Sequence, residues 1–174
     1  MFDIVITEKE TENGQKKICK NINRYASRGI LLNDKNQIAL MRIGVKDLYK
    51  LPGGGIENNE TKTEAFIREI KEETGYDCNI IAEIGKITEH KYKNNFCQLS
   101  YCFIAKKCGD NPVQNLTEKE KKLGFSLVWK NITDAVKEMT CSVEKCLDYS
   151  DKFLMHRDKY IIEYFKNNFK GEVI

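Results

Sequence analysis

The sequence predicts an α/β (or α+β) sandwich, with helices packed on a sheet. Three observations carry that reading. Short strand-like runs dominate the chain up to residue 129, one well-capped helix interrupts them after a glycine run, and helical periodicity returns only beyond residue 133. In order, residues 2–7 and 17–22 flank Asn13-Gly14, a dipeptide that favours a tight turn, so the start reads as a hairpin. Strands follow at 25–32 and 37–43, joined by the polar turn Asn33-Asp34-Lys35-Asn36. Leu48-Tyr49-Lys50-Leu51 then leads into Pro52-Gly53-Gly54-Gly55, an unusually permissive backbone. The next segment is a helix, because Thr61 and Glu64 have capping-box spacing and Gly75 stands where a C-terminal glycine belongs. Strands return at 79–87 and 96–105. Residues 106–124 read as a long polar loop, 125–129 as a short strand, and 133–139 and 155–169 as helices. The expected organisation is one domain over 1–174, with an N-terminal hairpin at 1–23 and a C-terminal helical extension at 140–174.

The bulk numbers narrow the class. Hydrophobic residues make up 41% and charged residues 32%, the profile of a globular protein rather than a disordered one. The longest apolar runs are too short to span a bilayer. Residues 1–5 show no signal-peptide pattern, so the expected location is cytoplasmic, with no membrane partner. The net charge of +3 comes from lysines spread along the chain, which gives no footprint for a specific nucleic acid. Seven cysteines without a Cys-x-x-Cys pair, and only two histidines, are expected to be free thiols rather than a zinc site. His90 and His156 read as structural, and Trp129 as a packing residue.

The informative segment runs from Gly53 to Tyr76. Helical residues advance by about 100° each, so Glu69, Glu72 and Glu73 share a face, with Ala65 leaving space beside them. Phe66, Ile67 and Ile70 fall on the side that buries against the sheet. Three adjacent carboxylates repel unless a cation sits among them. Mg²⁺ suits such a cluster, since it takes carboxylate oxygens and shares its other positions with water and phosphate. A glycine run just before the helix lets backbone groups approach the same ligand. Taken alone, a Glu-rich helix is more often a solvated face.

The full spacing overturns that plainer reading. Gly54, Glu60, Arg68, Glu69, Ile70, Glu72, Glu73 and Gly75 match every fixed position of Gly-x5-Glu-x7-Arg-Glu-U-x-Glu-Glu-x-Gly-U, where U is aliphatic. The segment resembles the Nudix box. It departs only at the last position, where Tyr76 replaces an aliphatic packing residue. The resemblance extends over the strands from Arg24 to Ile43 and onward to Trp129, but not to the first hairpin or the C-terminal helix.

The resemblance implies an α/β/α sandwich with a mixed β-sheet, and a Mg²⁺-dependent (or Mn²⁺-dependent) hydrolase of a diphosphate bond in a nucleoside diphosphate linked to another moiety. It implies metal ligation by Glu72, Glu73 and the Gly53 carbonyl, with Glu69 a further ligand or the general base. Arg68 is expected to pair with Glu60 and hold the carboxylates in place, and Glu64 is placed to share that pairing. Some family members take the base from a later loop, which makes Glu118 and Glu120 reserves for that role. Arg24, Arg28 and Arg42 lie on strands before the box, and alternation does not say which faces a cleft.

Substrate cues are sparse. ADP-ribose hydrolases of the family often carry a proline about fifteen residues after the last box glycine, and here the prolines are Pro52 and Pro112. Tyr92 sits nearer the place of a tyrosine found in dinucleoside polyphosphate hydrolases, and Tyr92, Phe96 and Tyr101 are candidate base-stacking residues. The expected substrate is a small nucleotide, either a nucleoside triphosphate or a dinucleoside polyphosphate. Two rivals remain: a non-catalytic nucleotide-binding regulatory domain, and an isoprenoid-diphosphate isomerase on the same fold, which calls for a reactive cysteine such as Cys97 or Cys102. The segment around Tyr160, Ile161, Ile162, Tyr164 and Phe165 is expected either to dock on the core or to build a homodimer interface.

Overall fold

The structure, a computed structural model, describes residues 1–110 and 112–169. Strands β1 (Phe2–Ile6), β2 (Arg24–Leu32), β3 (Ile38–Ile43), β4 (Leu48–Lys50), β5 (Gly53–Gly55), β6 (Asp77–Lys91), β7 (Phe96–Cys108) and β8 (Phe125–Lys130) join into one mixed sheet. Its order is β1-β6-β7-β2-β3-β4, with β5 added to β2 and β8 to β3. The β1/β6 and β2/β7 pairs are parallel, and the others are antiparallel.

Both faces of the sheet are covered, and the period-2 alternation shows how. Leu31, Ala39, Phe103 and Ala105 turn toward α2 (Lys62–Thr74), where they pack against Phe66 and Ile70. Their neighbours Ile30, Leu32, Ile38, Leu40, Cys102 and Ile104 turn the other way. There they meet Ala135 and Met139 of α4 (Ile132–Lys145) and Phe153, Ile161, Ile162 and Phe165 of α5 (Tyr149–Asn168). Central strands buried on both sides carry apolar residues at nearly every position. The result is the expected α/β/α sandwich, and α5 docks on the core.

Local chemistry revises three expectations. The N-terminal hairpin does not form. The Thr7 side chain instead caps a short helix, α1 (Glu8–Glu12), in a capping box with Glu10. Asn13, at φ 53°, is that helix's left-handed C-cap, so Asn13-Gly14 ends a helical turn rather than joining two strands. β1 finds its partner far away, with Phe2 opposite Gly85 and its ring edge-on to Tyr160 and Tyr164. The long loop is interrupted at both ends, because β7 runs to Cys108 and a Thr117–Glu120 capping box starts α3 (Glu118–Lys122). The C-terminal boundary at 140 falls inside α4, and residues 170–174 lie outside the described residues. Among the described residues, no helix is long and apolar enough to cross a membrane.

Candidate active site

Helix α2 begins where predicted. Thr61 accepts from the Glu64 backbone amide while Glu64 accepts from that of Thr61, and Gly75 closes the helix at φ 81°. Only a residue without Cβ takes that left-handed C-cap conformation at no cost. Phe66 and Ile70 are fully buried as expected, but Ile67 is 39% exposed and lies off the packed face. Ala65, expected to leave space beside the glutamates, is itself fully buried.

The three glutamates do not share one environment. One helical step from Glu72 to Glu73 turns the second inward: the Glu72 side chain is 39% exposed and that of Glu73 3%. Glu73 accepts from the Gly53 amide (2.9 Å) and from the Lys50 ammonium. Burial raises its pKa against the opposing pull of Lys50. The Glu69 carboxylate lies over Gly54, and a Cβ on that glycine would occupy the carboxylate's own place. That close approach is the physical reason for glycine at this position of the loop.

Arg68 organises the rest. Its Nε and Nη2 donate to Glu60 (2.8 and 3.0 Å), and Nη2 also donates to the Gly55 carbonyl (2.9 Å). Nη1 donates to Glu69 (2.9 Å) and Glu72 (3.1 Å). Glu60, bonded to Arg68, is held below the usual carboxylate range. The sequence had Glu64 sharing this arginine, but the capping box engages it instead.

A cleft of about 310 Å³ is lined by Gly53, Gly54, Glu69 and Glu73. Arg24, Lys46, Lys50 and Lys119 line it too, together with Phe125, Glu120 and Asp151, the last paired with Lys46. A second cavity of about 470 Å³ adjoins it, with Arg24 common to both and Tyr25, Asn58, Lys62 and Tyr101 among its lining. Of the strand arginines, Arg24 alone lines these cavities. Arg28 is buried, donating to Ser100, and Arg42 pairs with Asp47 on the surface. Glu120 reaches the cleft although its carboxylate caps α3, whereas Glu118 is 80% exposed and pairs with Lys121. Tyr101 lines the second cavity, while Tyr92 lies elsewhere, beneath the Lys17 ammonium.

Sequence reasoning missed Lys46, Lys50 and Lys119. Lys50 carried a signal, since it ends the short strand directly before the glycine loop. Lys46 and Lys119 carried none beyond their charge. Among the described residues, no three acidic, histidine or cysteine side chains converge as a preformed metal cluster. Lys50 engages Glu73, and Arg68 engages Glu60, Glu69 and Glu72, in the arrangement seen. The donor set, carboxylate and carbonyl oxygens with open cleft beside them, still fits a hard divalent cation. All the cysteines are free, and burial pushes Cys102 up to about 12 and raises Cys97.

The sandwich resembles solved structures at low identity. A NUDIX hydrolase from Nitrosomonas europaea superposes with a TM-score of 0.62 at 18% identity, covering 85% of this chain and 89% of the other. The MutT protein from Methanosarcina mazei Go1 gives 0.59 at 15%, covering 87% and 98%. In sequence, the chain is 40% identical over 65 residues to the "Putative 8-oxo-dGTP diphosphatase" of Bacillus subtilis (strain 168), 37% of this chain and 44% of that protein. It is also 40% identical over 57 residues to the RNA pyrophosphohydrolase of Marinomonas sp. (strain MWYL1), 33% of this chain and 35% of that protein. The matched stretches thus span less than half the length of these relatives. The family model described as NUDIX domain matches residues 23–145, most of the chain, and with the box and the sandwich in place the chain belongs to the Nudix family.

Proposed function

We propose that the protein is a divalent-metal-dependent hydrolase that cleaves a diphosphate bond in a small nucleotide, either a nucleoside triphosphate or a dinucleoside polyphosphate. One observation carries the reading: the α2 carboxylates Glu69 and Glu73 and the cations Arg24, Lys46, Lys50 and Lys119 line one cleft. Carboxylates alone would serve only a cation, and lysines alone only an anion. Together in one cleft, they suit a metal-bound polyphosphate. Mg²⁺, or Mn²⁺ in its place, would be held by Glu69, Glu72, Glu73 and the Gly53 carbonyl, and it supplies charge neutralisation and an acidified water.

The chain's own residues do the rest. Arg68 orients Glu69 and Glu72 through its fixed fork of donors. Glu69, at the cleft wall, takes the proton as the water oxygen forms its bond to phosphorus and the bridging P–O bond breaks. Glu120, which also lines the cleft, is the reserve base. Arg24 and Lys119 offset the charge of the departing phosphate. The second cavity gives the nucleoside a seat, with Tyr101 available for stacking on a base and Asn58 for its polar edge. The names carried by the relatives support a nucleotide pyrophosphohydrolase. The isomerase reading loses its nucleophile, because Cys97 and Cys102 are buried with raised pKa and do not line the cleft.

The test is turnover of a panel with Mg²⁺: ordinary and oxidised nucleoside triphosphates, dinucleoside polyphosphates, RNA with a 5′-triphosphate, and ADP-ribose. Wild type is run beside Glu72→Gln. Phosphate or diphosphate release from one nucleotide class, lost in the variant, is expected. Turnover confined to ADP-ribose would refute the substrate class, and no turnover of anything would favour a nucleotide-binding domain.

A further inference from the structure

Lys50 and Glu73 reach the cleft from different elements, the end of β4 and the last turn of α2, and both side chains are almost fully enclosed, 7% and 3% exposed. The Lys50 ammonium donates to Glu73 Oε1 and stands 3.4 Å from the Gly53 carbonyl, while the Gly53 amide donates to Glu73 Oε2 at 2.9 Å. One ammonium therefore touches both of the oxygen donors that this end of the site offers. We propose that Lys50 is a resident counter-cation: it holds Glu73 and the Gly53 backbone in ligand position, and it must vacate that place before a divalent ion is bound there. The inference rests on the metal-dependent reading above, but concerns a residue outside the box.

The physical case is one of exclusion. A buried carboxylate without a cation is strongly destabilising, so a fold that exists before it meets metal needs a positive group at Glu73. A divalent ion on the same two oxygens would place like charges within a few ångströms in a dry pocket, and the two cations cannot share it. Lysine suits an occupant that must move, having a compact charge on a flexible four-carbon stem, where arginine would offer a rigid fork. The ammonium already lies over the Phe125 ring, 5.3 Å from its centroid, and both residues line the cleft. Displaced within that cleft, the ammonium stays in the cavity that would receive phosphate. Lys50 is thus a positioning residue for metal entry, with its effect exerted through Glu73.

The experiment measures Mg²⁺ binding to the nucleotide-free protein by calorimetric titration, together with thermal unfolding in chelator and in saturating Mg²⁺. Lys50→Met removes the competitor, so the Kd for Mg²⁺ tightens by about tenfold, the size of one charge-assisted hydrogen bond. The same variant loses Tm in chelator and gains more from Mg²⁺ than wild type does. Lys50→Arg keeps the charge but grips the carboxylate through two parallel donors. It retains Tm in chelator and binds Mg²⁺ more weakly than wild type. Equal Kd values in all three proteins, or weaker binding by Lys50→Met, would overturn the proposal and leave Lys50 a structural partner alone. If Lys50→Met does not fold, binding by Lys50→Arg as tight as that of wild type overturns it as well. Wild type that binds neither Mg²⁺ nor Mn²⁺ at millimolar concentration removes the metal-dependent reading too, an outcome distinct from a flat series of measurable affinities.

Discussion

Two clusters of carboxylates and cations lie on opposite faces of the same sheet, built from the same residue types. On the α2 face, Arg68 gathers Glu60, Glu69 and Glu72 at the rim of a cleft, with side chains 14–39% exposed. On the α5 face, Arg157 donates to Asp158 (2.8 Å) and Glu89 (2.9 Å), with all three at 2% exposure or less. There Gln98 also donates to Glu89, and the Asp158 carboxylate accepts from the Leu51 amide (2.8 Å), just ahead of the glycine loop. Burial pushes Arg28, close by, down to about 10, with Arg157 adding to it. The difference teaches what exposure decides. The α2 cluster keeps carboxylate oxygens within reach of a ligand. The α5 cluster makes its contacts inside the fold, tying α5 to the strands and to the entry of the glycine loop.

That contrast breaks if the two clusters respond alike to mutation. Arg157→Met removes the cation that donates to both buried carboxylates and is expected to cost about 3–5 kcal/mol of unfolding free energy, the usual result of breaking a buried pair. Urea denaturation measures it, and a loss below 1 kcal/mol would mean that the network is dispensable. Next in size, Glu72→Gln is expected to lower kcat by about 10²–10³-fold, or roughly 2.7–4 kcal/mol in the barrier. Its urea midpoint should stay within error of wild type, because Glu72 is partly exposed and satisfied by one long contact. A Glu72 variant that unfolds easily would turn the α2 cluster into a second structural network.

What the sequence disclosed and what it hid follow the same divide. The box helix was legible because its signals are local: a capping box at Thr61 and Glu64, a left-handed glycine at 75, and carboxylates at fixed helical steps. The strands β2, β3 and β7 were legible as apolar runs, but not which face each of their residues takes. Pairings between distant residues were not. Phe2 opposite Gly85 has no trace in the first seven residues, and Asn13-Gly14 serves a helix end as readily as a hairpin. Glu89 and Arg157 carry no local signal of their pairing, since nothing in either neighbourhood says that a residue 68 positions away will cover it. Lys50 fell between the two cases, close to the box but outside its spacing.

Smaller effects sharpen the comparison. Arg68→Lys keeps the charge but loses the fork that reaches Glu60, Gly55, Glu69 and Glu72 together. A loss of about 10–100-fold in kcat is expected, the range for residues that orient ligands without touching substrate. KM should hardly change, and a rise in KM at unchanged kcat would instead place Arg68 on the substrate.

The subtlest test uses pH on the buried side. Burial alone would raise the pKa of Glu89, but Arg157, Lys91 and Arg28 outweigh it and hold the carboxyl below its ordinary 4.5. A depressed carboxylate contributes stability that is complete above the unfolded value and disappears as pH falls through the folded one. Glu89→Gln lacks that dependence. Wild type should therefore exceed Glu89→Gln in urea midpoint at pH 7, with the gap constant down to about pH 5 and narrowing below 4.5. A gap that stays constant to pH 3 would show that the buried cluster does not hold an ionised Glu89. The two faces of the sheet would then differ in charge as well as in exposure.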